Sequence, residues 1–387
     1  MQQPISRKLV TVRRISNISP ITGSRYNVVT VDGWSVVVRR SERFHRGQLV
    51  LYFEVDSFLP HNHNFWEFCA LSNATLNNEP GYLVTTTMIS KHLSQGLVFH
   101  LDKFTEFSDF YSRMKMFYGT DVVERGITTM SFEDILGVKK WDDISQGGTT
   151  DSFGQLPIFF PQPGCQRAQN LPTLFRDYGE ESHQVTEKLD GVSMSVYAVE
   201  KNSKWCSLLP PLPEDSQQIG STRIGVCNRT QDLIESSTSW FWKTAKQQHI
   251  IEKIGQVGEN IVVQGELCGF NIMRNTIGFE PDEHVFLVFN IYDVDNQKYL
   301  RPETVTSICG RLGWRHVPII FDSMKLSTFA NNIHDLLSKA EGTGVKGRMR
   351  EGLVFKTIDA KFTFKAISNT WLLETGKDQG KEIGGSH

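Results

Sequence analysis

A lysine and an aspartate two positions apart stand where a short β-rich run meets a glycine turn. The segment is Val185–Ser193, and it places Lys188 and Asp190 just before Gly191. On an extended chain, residues two apart point to the same side, so the ammonium and the carboxylate would face one pocket. A lysine held near a carboxylate can act as a nucleophile. Taken alone the pattern is weak, because Lys-x-Asp-Gly also occurs by chance in ordinary surface turns.

Further charged residues follow inside strand-like, largely apolar segments. Five segments come in order after Lys188: Val226–Arg229, Val262–Gly269, Val285–Tyr292, Arg350–Lys356 and Phe362–Ala366. Two of them carry a carboxylate, Glu266 and Glu351, in an otherwise apolar run. An unpaired charge is costly in such surroundings. A functional role is therefore favoured over an ordinary surface charge for both residues.

The order and spacing of these segments resemble the signature of the covalent nucleotidyltransferase superfamily, which contains DNA ligases, RNA ligases and mRNA capping enzymes. The resemblance is closest to ATP-dependent RNA ligases, since Gly265–Gly269 and Val288–Ile291 look like their third motif and its aromatic companion. Upstream, Gly33–Arg40, Val50–Pro60 and Ile158–Asn170 resemble the branch with an N-terminal OB-fold domain. The likeness covers almost the whole chain.

The order of the domains distinguishes this branch from its relatives. In DNA ligases and capping enzymes an OB domain follows the last motif, whereas only about twenty residues follow Lys365 here. One departure concerns the last motif, which often has two lysines two apart; Ile367 stands at the second position. A DNA ligase or a capping-type nucleotidyltransferase is the alternative within the enzyme class. A catalytically retired nucleic-acid-binding protein is the alternative outside it.

The resemblance implies a reaction in three steps at phosphorus. Lys188 would attack the α-phosphorus of ATP, AMP would pass to the 5'-phosphate of an RNA, and a 3'-hydroxyl would then displace AMP. The catalytic residues that the resemblance implies are Lys188, Asp190, Arg229, Glu266, Glu351 and Lys365. Each step is an in-line displacement, so positioning and charge neutralisation are the main contributions expected from the protein.

The same resemblance implies how the nucleotide and a metal are held. The nucleotide-binding residues would be Glu187, Lys188, Arg167, Asn170, Arg229, Phe289, Lys356 and Lys365. A hydrated Mg²⁺ or Mn²⁺ would be held by Asp190, Glu266 and Glu351, because oxygen ligands suit hard cations. The ring of Phe289, rather than that of Phe286, would stack on adenine. Nearby cations, namely the metal, Lys356 and Lys365, would lower the pKa of Lys188.

The elements around these residues predict an α+β protein. Short strands and an Asp32-Gly33 hairpin turn predict an N-terminal OB-type β-barrel with a helical extension over residues 1–150. Residues 155–380 are expected to form a nucleotidyltransferase (ATP-grasp-like ligase) domain of antiparallel sheets with flanking helices. Apolar spacing predicts helices at Ser237–Ile254 and Ser327–Ala340. The polar stretch Ser145–Gly154 is interpreted as a linker.

Composition narrows the class of protein. The 387 residues suffice for two or three domains, and no run of eighteen apolar residues predicts a membrane helix. Met1–Thr11 contains no apolar signal core, so we expect an intracellular protein whose compartment the sequence does not resolve. Six scattered cysteines form no Cys-x-x-Cys pair, which argues against a zinc ribbon or a disulfide framework.

A local basic stretch contrasts with the formal net charge of −2. The basic residues are Arg7, Lys8, Arg13, Arg14, Arg25, Arg39, Arg40, Arg43 and Arg46, and only Asp32 and Glu42 oppose them. Such a stretch can form a patch for phosphates, although a solvated strand face would carry the same residues. The expected partner is RNA with 5'-phosphate and 3'-hydroxyl ends in a nicked duplex, bound by a monomer.

Overall fold

The chain forms two compact units in a computed structural model, which describes residues 7–61, 71–141, 151–212 and 220–379. The N-terminal unit contains residues 7–61, 71–141, 167–174 and 368–379 of the described parts. The C-terminal unit contains residues 151–166, 175–212 and 220–367. The short segment 167–174, which comes shortly before Lys188, therefore belongs to the N-terminal unit.

The N-terminal unit is built mainly from strands. Its strands up to residue 141 are β1 (Val10–Pro20), β2 (Tyr26–Val31), β3 (Trp34–Arg39), β4 (Leu49–Phe53), β5 (Ser57–Pro60), β6 (Ser72–Leu76), β7 (Glu79–Leu83), β8 (Thr86–Ile89), β9 (His92–Gln95), β10 (Leu97–Phe99) and β11 (Lys139–Lys140). Its helices in this region are α1 (Thr105–Tyr118) and α2 (Thr120–Gly126).

A five-stranded antiparallel sheet in the order β10-β4-β1-β2-β3 forms a nearly closed barrel in this unit. The β2–β3 hairpin turns at Asp32-Gly33 as predicted, with Val31 paired to Trp34 and a positive φ of 50° at Asp32. Trp34 is fully buried in the barrel core. A second apolar cluster packs α1 and α2 against β1 and β4, with Phe107 among its buried residues. The predicted OB-type barrel is confirmed.

From residue 151 onward, helices stand between many of the strands. The strands are β12 (Ser152–Gln155), β13 (Gln166–Arg167), β14 (Ser182–Lys188), β15 (Val192–Glu200), β16 (Thr222–Cys227), β17 (Gln231–Leu233), β18 (Ile261–Gly269), β19 (His284–Asp293), β20 (Lys298–Tyr299), β21 (Ile319–Lys325), β22 (Gly352–Thr357) and β23 (Thr363–Ile367). The helices are α3 (Leu174–Tyr178), α4 (Trp240–Gln247), α5 (Ile250–Lys253), α6 (Pro302–Leu312), α7 (Leu326–Phe329), α8 (Ile333–Ala340) and α9 (Asn369–Gln379), of which α9 belongs to the N-terminal unit.

Two antiparallel sheets form the frame of the C-terminal unit. One has seven strands in the order β12-β17-β16-β15-β18-β19-β20, and four strands of the other run in the order β23-β22-β14-β21. Helices α4, α5 and α6 pack on the larger sheet, where Trp242, Ile250 and Cys309 share one core cluster with Val196 and Val263. Strand β14 lies in the smaller sheet and β15 in the larger one, so the chain passes from one sheet to the other between them.

Both predicted helices of this unit are interrupted. Within Ser237–Ile254, α4 ends before His249, whose left-handed φ of 55° separates it from α5. Within Ser327–Ala340, Ala330 is extended at the end of α7. The side chain of Asn332 then caps α8 by accepting a hydrogen bond from the backbone of Asp335. A local side-chain acceptor of this kind starts a new helix rather than continuing the old one.

Two other sequence predictions meet the described residues only in part. Residues 145–150 of the predicted linker lie outside the described parts of the chain. Its last residues belong to β12, which pairs with β17 at Ser152 and Leu233. In the described residues, the longest apolar helices are too short or too polar to cross a membrane.

Candidate active site

Lys188 is the last residue of β14, at the place where the chain leaves the smaller sheet for the larger one. The crossing is tight at Gly191. A β-carbon at this position would lie 2.6 Å from the carbonyl oxygen of Leu267 and 2.8 Å from Cγ of Glu266. Only glycine allows this approach without a shift of the backbone. The turn therefore brings the loop after Lys188 against the strand that carries Glu266.

The Lys188 ammonium is held by two acceptors. Its Nζ donates to the carbonyl oxygen of Leu189 at 2.7 Å and to Oε2 of Glu351 at 2.9 Å. Glu351 is adjacent because it precedes β22, whose first residue, Gly352, pairs with Lys188. The side chains of lysine and glutamate are only 22% and 11% exposed, so this ion pair is screened little by water.

The predicted acidic set surrounds this lysine. Burial alone would lower the pKa of Lys188, but the negative charges of Glu351, Glu266 and Asp190 outweigh it and raise that pKa above its usual range. Burial raises the pKa of Glu266 to about 7, although the charge of Lys188 opposes the shift. Burial also raises the pKa of Glu351, again against the charge of Lys188. The structure thus brings all four residues together in one electrostatic cluster.

The direction of the lysine shift corrects one expectation. Nearby cations, namely the metal, Lys356 and Lys365, were expected to lower the pKa of Lys188. The described side chains raise that pKa, because the charges of Glu351, Glu266 and Asp190 outweigh burial and neither lysine is among the main causes. The positive charge of Lys365 acts instead on Glu266 and Glu351, whose pKa values it lowers. Lys188 is therefore held as an ammonium by the carboxylates around it.

Two loops that the sequence did not single out complete the surroundings of the cluster. Thr276 donates its hydroxyl hydrogen to Oδ2 of Asp190 at 2.6 Å. The backbone N–H of Val345 donates to Oε1 of Glu187 at 3.0 Å, and burial raises the pKa of Glu187. Neither loop carries a recognisable motif, so only the folded chain reveals these partners.

Phe289 occupies a β-bulge in β19. Gln264 pairs with Asn290 and Gly265 with Val288, so Phe289 is the extra residue between two paired ones. Its ring is half-buried and joins an apolar cluster that includes Val345, whereas Phe286 is fully buried in the core of the unit. A half-buried ring is free to accept a further planar group, and a core ring is not. The assignment of Phe289 to adenine stays a prediction.

Lys356 donates a hydrogen bond to the backbone carbonyl of the bulged residue Phe289. Its Nζ donates to the carbonyl oxygen of Phe289, and the side chain is buried. Burial lowers the pKa of Lys356 to about 8, with a small opposing effect of Cys165. A bulge leaves one residue of the ladder unpaired, which explains why the Phe289 carbonyl is available to the lysine.

The environment of Arg229 differs from that of the buried residues around Lys188. It is exposed in the turn between β16 and β17. The side-chain oxygen of Asn228 fixes this turn by accepting the backbone N–H groups of Thr230 at 2.9 Å and Gln231 at 2.8 Å. No ion pair of Arg229 with an acidic group is found among the described residues. Its predicted contact with phosphate stays a prediction.

Arg167 and Asn170 belong to the N-terminal unit, where they enter a buried polar network. Asn170 accepts hydrogen bonds from Arg13 at 2.8 Å and from Trp34 at 2.7 Å, and donates to Glu54 at 2.9 Å. Arg167 is buried and donates from Nη2 to Asp56 at 2.8 Å. Its Nε and Nη1 have no hydrogen-bond partner in the described parts of the chain. The nucleotide contacts assigned to both residues stay predictions.

The acidic cluster suits a hydrated cation better than a protein cage. Asp190, Glu266 and Glu351 supply only oxygen donors, which hard divalent cations prefer. Within the described residues, however, no three metal-ligating side chains form a ready-made metal site. Mg²⁺ commonly keeps several waters and binds through one or two carboxylates together with substrate phosphates. The carboxylates therefore fit a cation that enters with a nucleotide.

Comparison with known proteins agrees with this geometry. A protein-family model described as RNA ligase matches residues 181–367, and an OB-fold domain model matches residues 9–101. No curated protein sequence matches the chain. The Naegleria gruberi RNA ligase with PPi is 31% identical in sequence, with a TM-score of 0.79 over 96% of this chain and 100% of that one.

Two further structures of the same Naegleria gruberi enzyme are similar. A mutant with ATP and Mn is 30% identical, with a TM-score of 0.79, and a mutant with AMP and Mn is 30% identical, with a TM-score of 0.78. Each comparison covers 96% of this chain and 100% of the other. The similarity spans both units and includes the segments that carry Lys188, Glu266 and Glu351. The chain belongs to the family of ATP-dependent RNA ligases, in the branch that carries an N-terminal OB-fold domain.

Proposed function

We propose that this RNA ligase joins a 5'-phosphate to a 3'-hydroxyl through a covalent lysyl-AMP on Lys188, and that its biological task is RNA repair. The observation that carries the proposal is the ion pair between Lys188 and Glu351, held between two further carboxylates at the junction of two sheets. This arrangement fixes the position of one amine in a low-exposure site. Fixed positioning is the main requirement for in-line displacement at phosphorus.

In the first step, the neutral amine of Lys188 attacks the α-phosphorus of ATP. A P–N bond forms, the bond from the α-phosphorus to the pyrophosphate oxygen breaks, and pyrophosphate leaves. The amine must first release a proton, because Glu351, Glu266 and Asp190 favour its charged form. A divalent cation held by Asp190, Glu266 and Glu351 would supply positive charge that neutralises these carboxylates and the phosphates.

In the second and third steps, the AMP group moves to RNA and is then displaced. An oxygen of the RNA 5'-phosphate attacks the phosphorus on Lys188, which breaks the P–N bond and leaves an AMP-capped 5'-end. The 3'-hydroxyl then attacks the capped phosphate, a phosphodiester forms and AMP departs. Lys365 and Arg229 are proposed to neutralise phosphate charge in these steps.

The nucleotide is proposed to lie beside the apolar cluster that contains Phe289. The half-buried ring of Phe289 would stack on adenine, and Glu187 would reach the edge of the base. Lys356 would lie next to the nucleotide through its bond to the Phe289 carbonyl. Arg167 is proposed to contact the terminal phosphates of ATP. Asn170 fixes the segment that carries Arg167.

The first test is covalent labelling. The purified protein is incubated with α-labelled ATP and Mg²⁺ or Mn²⁺ and separated on a denaturing gel, beside Lys188→Ala and the exposed control Lys298→Ala. Label on the wild type and the control, and none on Lys188→Ala, supports the proposal. If the wild type takes up no label and is not already adenylylated as purified, the lysyl-AMP mechanism is wrong.

The second test concerns the nucleic acid. Sealing of nicked duplexes is compared with sealing of single strands, with RNA or DNA on the 3'-hydroxyl side and a 5'-phosphate at the break. The proposal expects sealing of a nicked duplex with an RNA 3'-hydroxyl by a monomer in solution. Preference for a DNA 3'-end, or loss of activity on dilution of an oligomer, would contradict the respective part.

A further inference from the structure

The structure divides the basic stretch of the N-terminal unit into two groups. Arg7 and Arg13 point into the unit, where they form ion pairs with Glu54, Asp56 and Asp32. The other seven residues of the stretch are exposed. Lys8 and Arg14 donate to the carbonyl oxygens of Thr129 and Gly47, and we call the remaining five the arginine patch: Arg25, Arg39, Arg40, Arg43 and Arg46. Within the described residues, none of these five forms an ion pair with a carboxylate.

The β2–β3 hairpin brings three members of the arginine patch to one place. Tyr26 lies directly opposite Arg39 in the strand pairing, and the backbone N–H of Arg40 donates to the carbonyl oxygen of Arg25 at 2.9 Å. These residues lie at the open end of the hairpin, opposite its turn at Asp32-Gly33. Cross-strand neighbours have β-carbons about 5 Å apart, so their guanidinium groups share a small area of surface.

Tyr26 lies beside two of these guanidinium groups. The positive charges of Arg25 and Arg39 lower the pKa of Tyr26, which pairs with Arg39 across the hairpin. The guanidinium carbon of Arg25 also lies 5.5 Å from the centre of the Tyr26 ring. Two exposed arginines therefore lie beside one tyrosine ring, and within the described residues neither is paired with a carboxylate. Neighbouring like charges of this kind attract an anion.

The loop after β3 extends the patch in a fixed conformation. Arg40 donates from its guanidinium to the carbonyl oxygen of Ile21 at 2.9 Å, and the backbone N–H of Arg43 donates to the Arg40 carbonyl. His100 stacks on Phe44 with ring centres 4.3 Å apart and bonds the Glu42 carbonyl at 2.7 Å. The backbone that carries Arg43 is thus held by residues of the barrel core rather than left to move freely.

We propose that the arginine patch binds the phosphate backbone of the RNA substrate. The proposal rests on the proposed function and adds the surface that holds the nucleic acid. Guanidinium groups match phosphate oxygens with paired hydrogen bonds. Five cations spread over a hairpin end and a loop fit an extended polyanion better than one small anion. Because phosphates repeat along any strand, binding there is independent of base sequence.

The test compares two double variants of the full chain with equal loss of charge. Arg25→Gln with Arg39→Gln removes the pair beside Tyr26, and Arg113→Gln with Arg125→Gln removes two exposed arginines from α1 and α2 of the same unit. Binding of a nicked RNA duplex is measured in EDTA at several salt concentrations. Labelling of Lys188 with α-labelled ATP, without RNA, is measured separately.

The patch variant should bind roughly tenfold more weakly, with a salt slope smaller by about 1.5, since each lost phosphate contact reduces the slope by roughly 0.7 to 0.9. The loss should be equal for RNAs of different sequence, and labelling of Lys188 should be unchanged. Wild-type affinity and slope in the patch variant, or equal losses in both double variants, would overturn the proposal. If the wild type binds RNA through the patch yet takes up no label, the catalytic proposal fails and the patch stands.

Discussion

Lys356 offers a prediction in which stability and activity move in opposite directions. Its amine is buried in the C-terminal unit. Within the described residues, it donates a hydrogen bond to the Phe289 carbonyl and forms no ion pair. A fall in its pKa from 10.5 to about 8 corresponds to a cost of about 3 kcal/mol for the charged form. Loss of the hydrogen bond returns about 1 kcal/mol. Lys356→Met should therefore raise the free energy of unfolding by about 2 kcal/mol at pH 7.

The pH dependence gives this prediction its sign. Below pH 8 the amine of Lys356 is charged in the folded and the unfolded chain, so the full cost applies. Between about pH 8 and 10.5 the folded chain releases the proton first, so the unfolded chain binds more protons and the wild type gains stability as the pH rises. The stability advantage of Lys356→Met should therefore shrink across this window.

The assay is urea unfolding at pH 7, 8, 9 and 10 of the wild type, Lys356→Met and the exposed control Lys298→Met. Differences between variant and wild type cancel the titration of other groups. The control should show no change with pH, and Lys356→Met should lose its covalent labelling by ATP if the amine serves the nucleotide. A variant less stable than the wild type at pH 7, or a difference constant with pH, would refute the reasoning.

Three further changes test the frame of the site and of the barrel. Phe289→Ala should raise the KM for ATP in the labelling reaction by roughly tenfold with little loss of stability, since base–aromatic stacking contributes about 1–3 kcal/mol; an unchanged KM would show that the ring does not hold adenine. Gly265→Ala should destabilise the C-terminal unit by about 1–3 kcal/mol in thermal unfolding, because its β-carbon would lie 2.4 Å from the Leu287 carbonyl oxygen. Asn170→Ala should cost about 2–4 kcal/mol of N-terminal unit stability, because Glu54 and Arg13 each lose a buried partner; wild-type unfolding would contradict the proposed network.

The sequence predicted the elements whose conformation is determined by neighbouring residues. The Asp32-Gly33 hairpin follows from a dipeptide that tolerates a positive φ, and the structure has 50° at Asp32. The residues around Lys188 were predicted from the motifs, and Glu266 and Glu351 do lie beside it.

Features caused by distant parts of the chain were not predictable. Helical spacing alone gave one helix where the structure has two, both at His249 and at Ala330. Only the second break has a local signal, the Asn332 cap of α8. Thr276 and Val345 reach the site from loops with no sequence signal. The buried partners of Asn170 lie more than a hundred positions away in the sequence, and no periodicity relates them.

Two charged groups of the site are buried at a cost in stability, which the rest of the C-terminal unit must offset. Burial disfavours the charged forms of both Glu266 and Lys356. It raises the pKa of Glu266 to about 7 and lowers the pKa of Lys356 to about 8. Neither arrangement stabilises the fold, since a buried charge without full compensation is unfavourable. The bulge at Phe289 and the glycine at Gly191 are likewise departures from regular strands. Buried charges and irregular backbone that coincide in one place are typical of a functional site, which a larger core must stabilise. In this unit the seven-stranded sheet and its three packed helices form that core, and the ion pair of Lys188 lies at its edge.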